Sequence, residues 1–447
     1  MNAADSVRPA PPSLWRDSDF RRLWVGQTAS QLGAQAAQVT LPLVAVVALD
    51  AGADQLGVLR AVEQAPILLF SLFVGVWVDR RRPREVMVLA DFGRAVALAA
   101  IPVASLLGLL GIPALLVVAF LVGVLTVFFD VAYQASLVEL VKRDQLAQGN
   151  SALEGSRSAA QVGGPALGGA MVSLLSAPAA IMASAFFFTV SFLSIRRIRP
   201  RESPPQRAER PARMWRQLHE GLRLVAGDTS LRAVGACSAI FQFFFAALMT
   251  VYLLFLPRTL HLSGAAVGLA LAAMGPGALV GSLLSARLPR RFGYGVVLVS
   301  SAALADGVML CVPALHGSSA VTIPLLMAIN FVFGVFSQLV NVNVMAVRQA
   351  ITPLRMQGRV VATINVVGMG LTPLGSLLGG CLAGQWGLRT SLLVTAAGLS
   401  LSPLFMALSP LARLGKTLPA VHRAAGRHAG EGESGFPEGP AGAARRA

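Results

Sequence analysis

The sequence predicts an all-α membrane protein with twelve transmembrane helices arranged as two six-helix bundles. Three observations predict this fold class. Only 13% of the 447 residues are charged and 55% are hydrophobic, whereas a soluble protein carries about a quarter charged residues. Apolar runs of roughly 20 residues, the length that crosses a bilayer as a helix, recur along the chain. The loops between these runs alternate between a consistently basic set and a set that is not.

The apolar runs define the twelve predicted spans. Transmembrane β-strands have about ten residues of alternating polarity, whereas these runs are about twice as long and apolar on all faces, so they predict helices. The predicted spans cover residues 21–48, 56–78, 85–109, 112–135, 151–176, 178–195, 232–255, 263–287, 294–314, 319–343, 361–384 and 388–410.

Loop charge predicts the orientation of the chain. The loops at 80–85, 141–144, 196–202, 286–291 and 348–359 are rich in arginine, as is the tail after Arg413. Cytoplasmic loops carry the excess of Lys and Arg, so these loops and both termini are predicted to lie in the cytoplasm of a plasma (inner) membrane protein. The same arginines account for the net charge of +16, and no nucleic-acid partner is expected. The polar, Pro-rich N-terminus does not have the apolar core of a signal peptide.

Short stretches repeat at an offset of 211 residues, which predicts that the two bundles are parallel repeats. RDSDFRRLW at 16–24 is similar to GDTSLRAVG at 227–235, and GGPALGG at 163–169 is similar to LGSLLGG at 374–380. Between the halves, MWRQLHEGLRLV at 214–225 predicts an amphipathic helix at the cytoplasmic interface. The predicted organisation is an N-terminal tail, a first bundle, a linker, a second bundle and a disordered basic tail, at residues 1–19, 20–196, 197–230, 231–412 and 413–447.

The loop between spans two and three carries a short polar signature, GVWVDRRRPRE at 75–85. Together with FFDVAYQASLVELV at 128–141, GPALGG at 164–169 and NVNVMAVRQAITPLRMQGRV at 341–360, it resembles the major facilitator superfamily, and within it the enterobactin-exporter-like or transmembrane secretion effector branch. The signature residues here are Gly75, Asp79, Arg80 and Arg84.

The resemblance implies that Asp79 closes the cytoplasmic side by pairing with the opposite half. The alternative is a local pair with Arg80 or Arg84 that shapes the loop. This sequence departs from the family pattern because Arg82 and Pro83 stand before Arg84 where a glycine is usual. The equivalence of Arg84 is therefore weaker than that of Asp79.

Polar side chains inside the spans predict the walls of a substrate cavity, because such groups in a membrane face the protein interior or water. In the first span four glutamines share an arc of roughly 80° on a helical wheel. A second stripe lies in span ten, and further polar residues lie in spans four and seven. The candidates are Gln27, Gln31, Gln35, Gln38, Tyr133, Gln134, Gln242, Asn330, Gln338 and Asn341. The alternative for the first stripe is interhelical hydrogen bonding.

Few acidic residues lie inside the spans, and each is a candidate proton carrier. Glu63 in span two and Asp306 in span nine lie deepest, and Asp130 in span four is the next candidate. Asp91 has Arg94 three residues later on the same helical face, so this pair is predicted to be a fixed structural ion pair.

These features predict a secondary transporter that exports a small amphipathic compound, such as a drug, a macrolide-like natural product or a siderophore, against proton entry by alternating access. The partners expected are the substrate, protons and the lipid bilayer, for a monomeric protein. No ATP-driven pump is expected, because GKT at 415–417 has Pro410 where a phosphate loop needs its first glycine. No cofactor, metal site or enzymatic activity is predicted, because the sequence has no His-Glu-x-x-His motif, its five histidines are scattered and no nucleophile–base pair is visible. The alternatives are a proton-coupled nutrient importer on the same fold and a non-transporting membrane scaffold or receptor.

Overall fold

The computed structural model describes residues 14–78, 81–141, 145–199, 222–317, 321–352 and 356–417, and these residues form helices without a β-strand. Ten helical segments among them are long and apolar enough to cross a membrane. The predicted class of an all-helical membrane protein is therefore confirmed.

The first half of the chain contains six long helices. The first, α1, continues into a π-helical turn at Val44–Ala48, and a short 3₁₀ turn at Leu14–Arg16 precedes it. The bounds are α1 Ser18–Leu43, α2 Ala53–Val78, α3 Pro83–Leu106, α4 Ile112–Leu140, α5 Leu146–Leu174 and α6 Ala177–Arg196.

The helices of the second half are interrupted more often. The predicted spans eight, eleven and twelve each divide into two helices, and each break lies two or three residues before a proline, which cannot donate a helical hydrogen bond. The bounds are α7 Thr229–Arg258, α8 Gly264–Ala272, α9 Met274–Leu284, α10 Tyr294–Met309, α11 Thr322–Ile351, α12 Gln357–Gly370, α13 Thr372–Trp386, α14 Leu388–Leu399 and α15 Leu401–Leu408, with a short helix at Leu288–Phe292.

Helices cover each of the twelve predicted segments, but α2 and α5 are not among the ten candidate spans. Both are long enough, with 26 and 29 residues. The first half of α5 is polar, with Glu154 and Arg157 among serines and glycines, and this lowers its hydropathy.

The repeated sequences at the starts of α1 and α7 form the same local structure. Asp17 accepts hydrogen bonds from the backbone of Asp19 and Phe20. Asp228, 211 residues later, accepts them from Ser230 and Leu231. Each aspartate therefore caps the first turn of its helix.

Four clusters of buried apolar residues hold the helices together. Two clusters are built from α1–α6, although Leu254 of α7 joins one of them. Two are built from the second half, and Val39 and Leu43 of α1 join the larger one. Near these residues the two halves therefore share a continuous core.

Glycine contacts also recur 211 residues apart. A Cβ atom on Gly168 would lie 2.9 Å from the carbonyl oxygen of Ala36, and one on Gly379 would lie 2.4 Å from that of Ala247. Only glycine permits such close backbone approach, so the GG motifs at 168–169 and 379–380 are contact points between helices.

Two predicted segments fall mainly outside the described residues. The interfacial helix at 214–225 is described only from residue 222, where residues 222–227 are helical and Val225 is buried. The basic tail is described only to residue 417.

Candidate substrate cleft

The two halves of the chain meet tightly at one end of the helices, which we call the closed end and which carries residues 50–52, 175–176 and 259–263. The Arg258 guanidinium is 2.7 Å from Asp50 and donates to the carbonyl of Ala51 at 2.8 Å. The backbone N–H of Ala265 donates to Ser173 at 2.6 Å. These polar contacts join the 50–52 loop and the end of α5 in the first half to α7 and α8 in the second.

Two glycine pairs bring helix backbones together just below these loops. A Cβ on Gly57 would lie 2.9 Å from Cα of Gly380, and one on Gly169 would lie 2.6 Å from Cα of Gly268. The two pairs are related by the 211-residue offset. The closed end is therefore sealed by backbone packing as well as by polar contacts.

The helices diverge toward the opposite end. Gly75 lies on the same face of α2 as Gly57, about five turns further on, yet a Cβ there would have nothing within 4 Å. On α5, Val162, Pro165 and Gly169 face the second half, and Glu154 continues that face but is exposed. A cleft therefore opens between the halves toward the end that carries the 75–85 signature.

The glutamine stripe of α1 is divided between the protein interior and the cleft. Gln27 is buried, and its Oε1 has no hydrogen-bond partner among the described residues. Gln31 and Gln35 are half-buried and Gln38 is exposed. No described group hydrogen bonds to the last three amides, so they do not act as interhelical links in this conformation.

Most of the polar stripe of α11 makes hydrogen bonds within the protein, and only part of it can line the cleft. Asn330 is fully buried, and its amide donates to Tyr252 at 2.7 Å and to the Leu326 carbonyl at 2.9 Å. Gln338 donates to Ser282 of α9 at 3.2 Å. Asn341 is exposed, and of these three it alone remains free to meet a ligand.

The aromatic residues of α7 form a stacked column. The rings of Phe241 and Phe245 are 5.3 Å apart, and Phe245 stacks on Phe333 of α11 at 5.5 Å. Gln242, on another face, is half-buried, and a Cβ on Gly368 of α12 would lie 3.7 Å from its Cγ. The structure therefore places Gln242 beside α12.

Polar groups of α4 and α5 lie near one another on one wall of the cleft. Asp130 and Gln134 are exposed and Tyr133 is half-buried. Asp130 lies about 160° around α4 from the exposed apolar residues Val117 and Leu121, so it faces the interior. The Arg157 guanidinium of α5 is close enough to interact electrostatically with Asp130.

Sequence reasoning missed two charged residues of this wall, Glu154 and Arg157. Both are exposed on α5, and both interact electrostatically with Tyr133. The available signal was their spacing of three within a predicted span, which places both on one helical face.

Asp91 and Arg94 form a buried ion pair at the centre of the first half. Neither side chain is exposed, and the guanidinium contacts the Asp91 carboxylate. Ser191 donates to the other carboxylate oxygen at 2.5 Å. Arg94 also donates to Ser30 at 3.0 Å and to Thr126 at 3.4 Å. The pair thereby ties α3 to α1, α4 and α6.

Two aromatic rings enclose the same arginine. Its guanidinium carbon lies 4.4 Å from the ring centroid of Phe129 and 4.3 Å from that of Phe188. This stacking stabilises a buried guanidinium, although Arg94 still interacts electrostatically with Asp130 of α4.

The other acidic residues, which are candidate proton carriers, differ in how accessible their side chains are. Asp306 of α10 is only 1% exposed, among the apolar residues Ala302, Ala305 and Met309, and its Oδ2 has no hydrogen-bond partner. Glu63 of α2 is half-buried, and its Oε2 is also without a partner. Glu63 and Asp130 are therefore reachable in this conformation, whereas Asp306 is sealed.

Only part of the 75–85 signature is described. Asp79 and Arg80 lie outside the described residues. Arg84 donates to the carbonyl oxygens of Ile195 at 3.3 Å and Arg196 at 2.5 Å. Cations favour helix C-termini, so Arg84 caps the end of α6.

Comparisons with known proteins agree with this architecture. A family model described as transmembrane secretion effector matches residues 10–424. The multidrug efflux pump Tap of Mycobacterium tuberculosis is 27% identical over 78% of this chain and 83% of its own length. Tap of Mycolicibacterium fortuitum is 27% identical over 73% of this chain and 80% of its own length.

Solved structures share the fold at low sequence identity. A bacterial homologue of the human lysosomal transporter Spinster, inward-facing, has a TM-score of 0.69 at 14% identity and covers 90% of this chain and 98% of its own. A bacterial homologue of the iron transporter ferroportin, also inward-facing, has a TM-score of 0.71 at 15% identity and covers 87% and 98%.

Proposed function

This chain belongs to the transmembrane secretion effector family of the major facilitator superfamily and is a multi-pass membrane transporter, and we propose that it exports small amphipathic compounds from the cell in exchange for protons. The observation that carries the proposal is the cleft, which is closed at one end, open at the other and lined by carboxylates and by amides without hydrogen-bond partners among the described residues. Amides donate and accept hydrogen bonds without fixing a charge, which suits varied amphipathic substrates.

We propose that α2 and α5 also cross the membrane, giving twelve spans in two repeats at residues 20–196 and 231–412. The glycine contacts that recur at the 211-residue offset support the repeat. The arginine-rich loops support an orientation with the open end and both termini in the cytoplasm, so the cleft is inward-open. Segments 1–19, 197–230 and 413–447 are then the cytoplasmic tail, linker and tail of a monomer in the inner membrane.

Alternating access requires the closed end to open and the cytoplasmic end to close. Gly75 has no side chain, so a helix of the second half can pack closely against this face of α2. Asp79, four residues further on, would then fasten the two halves in the outward-open state, while Arg80 supports the loop and Arg84 holds α6.

Proton coupling requires a carboxylate that the cleft reaches. Glu63 and Asp130 satisfy this requirement in the inward-open state, so they are the proposed carriers, and Asp306 is the third candidate. The Asp91–Arg94 pair is proposed to be structural, because the phenylalanine rings and serine hydroxyls hold both charges in place.

The test is uphill transport in inverted membrane vesicles. An imposed proton gradient should drive accumulation of a fluorescent amphipathic dye, and a protonophore should abolish it. Glu63→Gln or Asp130→Asn should stop accumulation while leaving downhill exchange, because an amide cannot carry a proton. Asp306→Asn tests the third candidate and should leave accumulation intact if Glu63 or Asp130 carries the proton, whereas a loss in Asp306→Asn alone would assign the carrier to Asp306. Accumulation without a proton gradient would contradict the coupling, and accumulation only in right-side-out vesicles would favour the importer alternative.

The name of Tap favours drugs over siderophores as the exported class, because that relative is described as a multidrug efflux pump. A deletion strain should therefore become more sensitive to structurally unrelated drugs, and the protonophore should give the wild-type strain a similar sensitivity.

A further inference from the structure

Arg60 and Glu63 of α2 carry buried polar atoms for which the described residues supply no hydrogen-bond partner. The Nε of Arg60 and the Oε2 of Glu63 are both buried without a hydrogen-bond partner. The two side chains interact electrostatically, yet the described chain shows no hydrogen bond or ion pair between them. Buried polar groups are nearly always paired, so this pair of orphaned groups requires an explanation.

Helix geometry places both side chains inside the bundle. Val58, Leu69 and Phe73 are exposed and mark the outer face of α2. At about 100° per residue, Arg60 lies about 170° and Glu63 about 110° from the centre of that face. Both therefore point toward the space between the halves, about 10–15 Å below the start of α2.

The backbone that carries them is held on two sides. On one side, Gly57 packs on Gly380, and Ser376 of α13 donates to Gln64 at 3.3 Å. On the other, a Cβ on Gly123 of α4 would lie 2.4 Å from the carbonyl oxygen of Glu63. Close contact with α13 and α4 fixes the direction of both side chains, as a preorganised binding site requires.

A further polar group of the cleft lies at a similar depth. This group is Gln38 of α1, which is exposed and has no hydrogen bond to a described group, about 15 Å from Ala48 at the end of the π-helical turn that continues α1. Residues three apart on a helix place their Cβ atoms about 5–6 Å apart. One cation and one anion are thus presented side by side at the inner end of the cleft.

We propose that Arg60 and Glu63 bind the two charges of a zwitterionic amphiphile, a compound with one anionic and one cationic group on an apolar scaffold. This inference rests on the proposed export function and names the substrate class of the same cleft. Arg60 binds the anionic group, because a guanidinium forms bidentate hydrogen bonds with carboxylates. Glu63 binds the cationic group.

Two dyes that differ in one charge test the assignment. Rhodamine B carries a carboxylate and a delocalised cation, and its ethyl ester keeps only the cation. Fluorescence anisotropy on the purified full-length protein should show about 10-fold tighter binding of rhodamine B than of the ester, the ratio expected for one charge-assisted hydrogen-bonded group. Wild-type protein that binds both dyes equally, or neither, overturns the proposal.

Variants separate the two roles. Arg60→Gln should weaken rhodamine B binding about 10-fold and change ester binding less than about 2-fold. Glu63→Gln should weaken binding of both dyes, and a saturating dye concentration should restore its downhill exchange but not its uphill accumulation. Arg60→Lys should keep most of the preference, and Arg232→Gln, which removes an exposed charge at the start of α7, should keep all of it. An equal effect of Arg60→Gln on both dyes contradicts the proposal.

Failure of the site and failure of export are distinguishable. If vesicles show no uphill export but the dye preference follows Arg60, the binding site stands and the export function fails. If export is uphill but the protein binds rhodamine B and its ester equally, the proposed binding site is wrong and the export function stands.

Discussion

Removal of the Arg94 charge should destabilise the first half strongly, because it leaves the Asp91 carboxylate buried without a cation. The substitution Arg94→Met keeps an unbranched stem between Phe129 and Phe188 but removes the contacts to Asp91, Ser30 and Thr126. Breaking a fully buried pair by removing one partner costs about 3–5 kcal/mol. We expect a loss of that size in the free energy of unfolding.

The double variant Asp91→Asn/Arg94→Met should recover part of this loss. With both charges gone, no uncompensated charge is buried, and an asparagine still accepts from Ser191. We expect the double variant to be more stable than Arg94→Met by about 2 kcal/mol, within the coupling range of contacting residues.

Unfolding of the purified protein by SDS in mixed micelles, followed by tryptophan fluorescence, measures these differences. The folded double variant should still export dye in a proton-dependent manner. A loss below about 1 kcal/mol for Arg94→Met, or simple additivity in the double variant, would refute the structural reading. Loss of coupling in a stably folded double variant would instead place the pair in proton transfer.

Three further predictions concern the cleft and its ends. In a Cys-free background, a polar thiol reagent should label Gln31→Cys, and bound substrate should slow the labelling, while Val39→Cys in the shared core stays unlabelled; equal labelling would remove Gln31 from the cleft. Asp79→Asn should shift spin-label distances between the cytoplasmic ends toward inward-open and lower turnover more than binding, and unchanged distances and rates would refute the gate. Gly380→Leu should widen the closed end, because a Cβ there would lie 2.8 Å from Cα of Gly57, whereas Gly307→Leu, with nothing within 4 Å, should not.

The sequence by itself determined the class and the local structure. Apolar runs of membrane length leave a helix as the only stable choice, since every backbone group must be satisfied within the segment. Short-range interactions likewise account for the helix caps at Asp17 and Asp228 and for the ion pair between Asp91 and Arg94, which are three residues apart. These features depend on residues close in the chain, which periodicity and composition describe directly.

Only the tertiary structure decided which polar faces meet protein and which meet the cleft. Asn330 and Gln38 look alike as amides in apolar helices, yet Asn330 is buried against Tyr252 whereas Gln38 is exposed. Helical periodicity states which residues share a face, but the neighbour of that face depends on helix contacts between distant segments. Here glycine pairs such as Gly57 and Gly380, 323 positions apart (380 minus 57), set those contacts. They seal one end of the cleft and leave the charged wall of α4 and α5 open at the other.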